Sequence, residues 1–229
     1  MGDAMGHITF SSIVASLLPE HEFLFMGGGK VSQIGRLGFK TVEIPMLSTY
    51  YSNNQVDIKS TIYNGSRVLF RRNSVLGHVE TLMREFRPDV VLSNYEYFTP
   101  MAALRMGIPC ISVDHQHVLT ECQWPVDPGG LLGRLLLTAP LKLMYSKADK
   151  YIVTSFFNLA PKNPDMTVVT PSVLRPVVRQ FTASEGEHVL VYQTSPSFLP
   201  LLETLKTTKG LYRIYGFGEQ PVDKNLEFR

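Results

Sequence analysis

Short apolar runs alternate along the chain with segments of helical periodicity. Strands are predicted at 21–26, 41–45, 89–93, 108–114 and 150–154, with 167–169 as a further candidate. Apolar positions from Val68 to Phe86 recur at helical spacing, which predicts a helix over 66–86 that ends before Pro88. Further helices are predicted at 30–37, 98–106 and 131–145, and 46–60 are predicted to form a loop because they lack periodicity.

The predicted strands are apolar throughout, which is typical of strands buried on both faces of a parallel sheet. We therefore predict an α/β fold with a Rossmann-like parallel sheet domain over 1–157. A segment rich in Pro, Asn, Thr and Ser at 158–187 is predicted to be a linker. Beyond it, a strand at 188–193, a helix at 198–207 and a strand at 211–217 predict the truncated start of a second Rossmann-like domain over 188–229.

The amino-acid composition argues against several classes of function. The chain has 229 residues, 44% of them hydrophobic, so it can form a core without disulfide or metal crosslinks. A net charge of +2 without a long basic run argues against nucleic acid as a partner. Cys110 and Cys122 form no CxxC pair, and no signal peptide or bilayer-length apolar stretch is present. These features predict a soluble, cytoplasmic protein.

Glycines precede the first helical pattern, in the arrangement Gly2-x-x-x-Gly6-His7. Glycines at a helix N-terminus let backbone N–H groups approach a diphosphate, and His7 has a pKa suited to proton transfer near neutrality. The alternative is a flexible N-terminus whose glycines have no function.

Two further polar segments follow predicted strands, where a parallel sheet places its ligand. Ser93 to Pro100 contains Asn94 and Glu96; Glu96 is either a binding residue or an acidic group at a helix start. Asp114-His115-Gln116-His117 places two histidines beside a carboxylate, which favours acid–base or phosphate-binding chemistry over an incomplete zinc shell. A solvated polar loop is the alternative.

The apolar segment 130–147 carries Arg134, Lys142 and Lys147. Such a helix could press against an anionic membrane surface, or it could be a core helix of the α/β domain. It is the candidate for peripheral contact at the inner face of a membrane.

Several segments together resemble the two-domain GT-B glycosyltransferases, near family 28. That family includes the N-acetylglucosaminyltransferase of peptidoglycan precursor synthesis and a poorly characterised bacterial and archaeal branch. The matching segments are 2–7, 87–96, 107–117, 148–156, 171–176 and 188–192.

The resemblance implies transfer of a hexose or other sugar from a nucleotide-sugar, most simply a UDP-sugar, to a sugar or lipid-linked acceptor, without a cofactor or metal. It implies catalytic roles for His7, Asp114, His115 and His117, with the identity of the base open among them. It also implies phosphate contacts for Gln193, Thr194 and Ser195. From their positions in the sequence, Gly2, Gly6, Asn94, Glu96 and Gln116 are further candidate substrate-binding residues.

The sequence departs from the family in three ways. Phe10 stands where many relatives have Arg, no strand precedes Gly2, and the segment that grips the nucleotide would lie beyond Arg229. We therefore expect an incomplete donor site in these residues. Two alternatives remain open, namely a non-catalytic acceptor- or partner-binding module of a split transferase, and a sugar-nucleotide epimerase on the same fold.

Overall fold

A computed structural model of the protein describes residues 5–52, 55–123, 130–145, 147–193, 196 and 198–229. Helices are α1 (Met5–Ser16), α2 (Ser32–Gly35), α3 (Ile58–Phe70), α4 (Arg72–Phe86), α5 (Phe98–Met106), α6 (Val118–Glu121), α7 (Leu131–Met144) and α8 (Leu199–Thr207). Strands are β1 (Leu24–Gly27), β2 (Lys40–Glu43), β3 (Tyr51–Ser52), β4 (Gln55–Val56), β5 (Val91–Ser93), β6 (Cys110–Asp114), β7 (Lys150–Thr154), β8 (Thr167–Thr170), β9 (His188–Tyr192), β10 (Leu211–Tyr215) and β11 (Leu226–Phe228).

The chain divides into two units, the first made of 1–48 with 63–175 and the second of 49–62 with 176–229. In the first unit, β1 and β2 form a two-stranded parallel sheet, and β5-β6-β7-β8 form a four-stranded parallel sheet in that order. The predicted parallel α/β architecture is confirmed.

Helices cover these strands on two faces, because side chains alternate along each strand. Buried residues of α4 and α5, including Leu76 and Phe98, pack against Val91 of β5 and Cys110 of β6. Met26 of β1 joins the same cluster. Phe25, its neighbour, packs instead against a cluster that contains Ile8 of α1 together with Val31 and Ile34.

Some boundaries differ from the predicted ones. The helix predicted over 66–86 is two helices, α3 and α4, because Arg71 leaves the helical conformation at φ −91° and ψ 10°. Apolar spacing does not mark this break, since Val68 and Val75 on its two sides pack against one cluster. The predicted loop at 46–60 contains the antiparallel pair β3–β4 and the start of α3.

The segment predicted as a linker, 158–187, contains β8, which pairs in parallel with β7. The first unit includes this strand and extends to Arg175. Within the described ranges, no helix is both long and apolar enough to cross a membrane.

The second unit is built on the parallel sheet β11-β10-β9. Its buried cluster consists of Leu202 from α8 with Tyr212, Ile214, Phe217, Leu226 and Phe228. Gly216 follows β10 with φ +97°, and a Cβ atom there would lie 1.8 Å from the carbonyl oxygen of Gln193. Only glycine allows the ends of β9 and β10 to approach so closely.

Candidate functional site

Polar residues collect at the carboxyl ends of three adjacent parallel strands in the first unit. Asn94 follows β5, Asp114 ends β6 and Thr154 ends β7. Ser93 is in register with Ser112, and Asp114 is in register with Val153, so these ends lie along one edge of the sheet. This edge is where open α/β sheets bind ligands.

Asp114 and His117 form a buried pair, with side chains that are each 1% exposed. The ring Nδ1–H of His117 donates to Oδ2 of Asp114 at 2.7 Å, and the backbone N–H of His117 donates to Oδ1 at 2.9 Å. The Ser112 hydroxyl donates to the same Oδ2 at 2.7 Å. The carboxylate therefore holds both the backbone and the ring of a residue three positions further along.

This network keeps Asp114 ionised. Burial by itself raises the pKa of the carboxyl group, but the hydrogen bonds and charge of His117 and the hydrogen bond from Ser112 lower the pKa below its usual value. In the neutral tautomer that donates from Nδ1, Nε2 of His117 is the acceptor atom. That Nε2 atom is buried and has no hydrogen-bond partner among the described residues.

His115 has the opposite orientation and is exposed. Its Nδ1 lies 2.7 Å from the carbonyl oxygen of Thr154, at the end of β7. A carbonyl oxygen only accepts, so Nδ1 carries a proton. In the neutral form of this tautomer the lone pair is on Nε2, which is the arrangement of a general base.

His7 lies in the first turn of α1 and has a similar tether. Its Nδ1 donates to Oδ1 of Asn94 at 2.6 Å, so Nε2 carries the lone pair when the ring is neutral. Its ring stacks on Tyr95 at 6.2 Å between centroids, and Tyr95 stacks on Tyr145 at 4.3 Å. Tyr95 adopts φ +50°, a conformation that non-glycine residues rarely adopt and that is often found at functional sites.

Glu96 is used by the helix that follows it. Its carboxylate is buried and accepts hydrogen bonds from the backbone N–H groups of Phe98 and Thr99, both at 2.6 Å, and from the Thr99 hydroxyl at 2.7 Å. These N–H groups belong to the first turn of α5 and would otherwise have no partner in the helix. This geometry is that of an acidic group at a helix start, which is one of the two roles that the sequence predicts for Glu96.

The remaining predicted residues are dispersed. Gly6 is an exposed residue of α1, and a Cβ atom there would have no atom within 4 Å. Gln116 is half-buried between the two histidines, and Gln193 follows β9 in the second unit, where its N–H donates to Tyr215 O at 3.1 Å. Gly2, Thr194 and Ser195 lie outside the described residues.

Sequence reasoning missed the parts played by Ser112 and by the carbonyl group of Thr154. Ser112 could have been found, because it lies two positions before Asp114 on one strand and therefore on the same face. The Thr154 carbonyl has no sequence signal, since any residue at that strand end offers the same oxygen. Among the described residues, no group of three His, Cys, Asp or Glu side chains could hold a metal ion.

Comparison with protein families gives one match over the whole chain, in which the model of glycosyl transferase family 1 covers residues 1–229. A comparison with curated proteins finds no match.

Three solved structures are similar to this fold. MurG from Acinetobacter baumannii matches with a TM-score of 0.55 and 16% identity, and the match covers 100% of this chain. The glycosyltransferase SnogD from Streptomyces nogalater gives 0.52 and 13%, with 100% of this chain and 70% of that chain covered. The glycosyltransferase SsfS6 from Streptomyces sp. SF2575 gives 0.52 and 15%, with 100% and 69% covered. The chain spans 64% of the length of the MurG chain. At these identities the likeness concerns the fold.

Proposed function

Because this chain belongs to glycosyl transferase family 1, we propose that it takes part in transferring a sugar from a nucleotide-sugar to an acceptor hydroxyl. We propose a UDP-sugar as the donor substrate and a sugar or a lipid-linked sugar as the acceptor, bound without a metal or cofactor. The first unit is assigned to the acceptor. In the second unit, Gln193, Thr194 and Ser195, which follow β9, are assigned to the nucleotide phosphates.

The observation that carries this proposal is the pair of tethered histidines. His7 and His115 each donate a hydrogen bond from Nδ1 to a fixed oxygen, on Asn94 and Thr154 respectively. In the neutral form of either ring, Nε2 then carries the lone pair. In the proposed reaction, one of these Nε2 atoms accepts the acceptor hydroxyl proton as the oxygen attacks the anomeric carbon. The bond from that carbon to the diphosphate oxygen breaks, and the diphosphate leaves with the electron pair.

Other residues of the edge are assigned supporting roles. The burial of Asp114 and His117 supports a positioning role, in which their hydrogen bonds fix the turn that carries His115 and Gln116. Backbone N–H groups at the start of α1, near Gly6, are assigned to stabilise the departing diphosphate, together with Gly2. Glu96 is assigned to capping α5, because all three of its hydrogen bonds go to the first turn of that helix.

Measuring UDP release from UDP-N-acetylglucosamine and UDP-glucose by the full-length protein, with and without a sugar acceptor, tests this function. We expect His7→Ala or His115→Ala to lower the rate by about a hundredfold or more, because a general base contributes roughly that much. His78→Ala is the matched control, since His78 is an exposed residue of α4.

Three other results of this assay would point to a different mechanism or function. Equal rates for all three variants would remove both histidines from the mechanism. Conversion of the sugar nucleotide without an acceptor would indicate an epimerase. Acceptor binding without any turnover would favour a binding module.

We further propose that α7 contacts an anionic membrane surface at the cytoplasmic face. Leu135, Leu137 and Leu143 are 60%, 59% and 79% exposed on this helix. The same helix carries Arg134 and Lys142. Burial lowers the pKa of Lys162, and the positive charges of Arg134 and Lys142 lower it further. Apolar side chains flanked by cations are the composition that binds anionic lipid.

Cosedimentation with phosphatidylcholine vesicles, with or without phosphatidylglycerol, tests this contact. We expect binding only to the anionic vesicles, and binding that weakens with added salt because the charges are screened. Leu143→Ser should reduce binding, whereas Leu104→Ser, at a 58% exposed leucine of α5, should not. Equal binding to both kinds of vesicle would contradict the electrostatic part of the proposal.

A further inference from the structure

The turn between β5 and α5 places two consecutive side chains against one histidine ring. Asn94 accepts the hydrogen bond from Nδ1 of His7 at 2.6 Å, and the ring of Tyr95 lies nearly parallel to the His7 ring, with 10° between their planes. The centroid separation of 6.2 Å is that of an offset stack. Asn94 therefore contacts the edge of the imidazole, and Tyr95 contacts its face.

These two contacts restrain different motions of His7. A single hydrogen bond fixes one ring atom, and the terminal torsion of a histidine side chain has broad minima, so the ring plane can still rotate about that atom. A parallel aromatic ring against the face removes this freedom, because rotation of the imidazole would lose the stack. Together the two contacts set the plane of the ring and hence the direction of its Nε2 atom.

The backbone of Tyr95 makes this double contact possible. Consecutive side chains of an extended strand point to opposite faces, whereas Tyr95 has a left-handed φ of +50° and directs its ring to the same histidine as Asn94. This conformation is strained for a bulky residue and unstrained for glycine. Glycine alone would therefore serve the turn into α5, and the aromatic ring at this position needs a separate reason.

Tyr95 is itself held by Tyr145, the residue after α7. Their ring centroids are 4.3 Å apart, with 15° between the planes. Tyr145 packs against the buried cluster of α4 and α5, and its backbone N–H donates to Leu141 O at 2.8 Å. Burial raises the pKa of the Tyr145 hydroxyl, so this ring is neutral near pH 7. The stack therefore connects the His7 ring to the core of the first unit.

We propose that Tyr95 is a positioning residue for His7. Its ring stacks on the imidazole and keeps it in the plane and the tautomer in which Nε2 can accept the proton of the acceptor hydroxyl. That proton transfer rests on the proposed function, whereas the positioning of the ring can be measured without turnover.

Two variants separate the ring of Tyr95 from its backbone. Tyr95→Phe keeps the ring, and Tyr95→Gly removes it while glycine adopts the backbone conformation without strain. Long-range proton–nitrogen NMR spectra at about pH 8.5, where an ordinary histidine is neutral, report which ring nitrogen of each histidine carries the proton. His115 and His117 are internal controls, because Thr154 and Asp114 hold their rings.

We expect the Nδ1–H tautomer of His7 to predominate in the wild type and in Tyr95→Phe, and to give way to a mixture of both tautomers in Tyr95→Gly. In the full-length protein, Tyr95→Gly should lower kcat for UDP-sugar turnover by about tenfold and leave the donor KM nearly unchanged, because a misplaced base affects the reaction step. Tyr95→Phe should remain within about twofold of the wild-type kcat, because the stack is retained.

An unchanged His7 tautomer in Tyr95→Gly would overturn the proposal. Tautomers of His115 and His117 that change together with that of His7 would also overturn it, because the role of Tyr95 would then be structural. A rate that falls in His7→Ala but not in Tyr95→Gly would exclude Tyr95 from the reaction. If His7→Ala leaves the rate unchanged, the proposed function of His7 fails, and the spectra still decide whether Tyr95 positions this ring.

Discussion

At the scale of single residues, the turn after β6 gives different environments to two histidines that are two positions apart. The Asp114 carboxylate accepts the backbone N–H of His117, and this bond directs the ring of His117 into the interior beside Tyr151, at 4.9 Å between ring centroids. His115 is left on the outside, where Thr154 O orients it. One buried carboxylate thus directs one histidine into the interior, while the other stays exposed.

Replacing that carboxylate tests the arrangement. We expect Asp114→Asn to lower the free energy of unfolding at neutral pH by roughly 1–3 kcal/mol, the usual effect of disturbing a buried hydrogen-bonded group. Folding lowers the pKa of Asp114, so its contribution is complete above about pH 4 and is lost as the pH falls through the lower pKa of the folded state. Urea unfolding from neutral pH down to about pH 2 should therefore show a flatter pH dependence for the variant.

Asp89→Asn is the control for this comparison, because Asp89 is exposed. A parallel pH dependence of the wild type and Asp114→Asn would contradict the assigned role. The sequence predicted that Asp114, His115 and His117 follow an apolar strand, and the structure places them there. It could not predict that Asp114 and His117 are buried, because that depends on the hydrogen bonds of one turn and on Tyr151 from another strand.

At the scale of elements, two neighbouring helices end with the same backbone conformation but different residues. Arg87 follows α4 with φ +54°, and Gly107 follows α5 with φ +67°. The Arg87 N–H donates to Met83 O at 2.8 Å, so the left-handed residue satisfies a carbonyl of the last turn. A residue with a Cβ atom is strained in this conformation, and Pro88 restricts Arg87 further.

Substitutions at these two positions should have opposite effects. We expect Arg87→Gly to raise the free energy of unfolding by a few tenths to about 1 kcal/mol, because relief of strain exceeds the added entropy of the unfolded chain. Gly107→Ala should lower it by about 1 kcal/mol, although a Cβ atom there has open space around it. Chemical denaturation of each variant measures these changes in the free energy of unfolding. A loss of stability in Arg87→Gly would contradict the strain argument.

Elements with strong local signals were predicted well. The Gly107 terminator and apolar spacing gave α5 at its observed bounds, and the apolar run at 150–154 is β7. The break at Arg71 and the two-residue strands β3 and β4 were missed, because neither changes the apolar pattern. β11 was missed for the same reason, since Leu226–Phe228 is a strand only through its pairing with β10.

At the scale of the whole molecule, the chain has separate buried clusters in its two units. Leu76 and Phe98 belong to the cluster around α4 and α5, and Ile214 and Leu226 belong to the cluster of the second unit. The clusters share no residue. The second is small, and on its sheet Leu190 and Tyr192 of β9 are 62% and 67% exposed.

We expect Ile214→Ala to destabilise the second unit selectively. Ile214 is 0% exposed, and truncating a buried isoleucine costs about 2–5 kcal/mol. Amide exchange should become faster at 211–215 and 226–228, and exchange at 110–114 should not change. Val222→Ala, at a 68% exposed residue, is the control and should change neither region. Faster exchange throughout the chain would show that the two units unfold together.

The sequence predicts one domain over 1–157 and the start of a second over 188–229, whereas the two units of the structure are 1–48 with 63–175 and 49–62 with 176–229. The Pro-rich composition of 158–187 predicts a linker, yet β8 lies inside that segment because Thr167 to Thr170 pair with β7. Composition reports the local tendency to bend, whereas the boundary depends on long-range strand pairing.

The two buried cysteines can report on local opening of the first unit. Cys110 is buried in the α4–α5 cluster and Cys122 beside Tyr151 and Val153, and both are free thiols. Burial raises the pKa of Cys110 to about 12 and also raises the pKa of Cys122, so the reactive thiolate is scarce while the fold is closed. An alkylating reagent can therefore modify each sulfur only while the surrounding structure is transiently open. The alkylation rate of each cysteine thus measures how often that part of the unit opens.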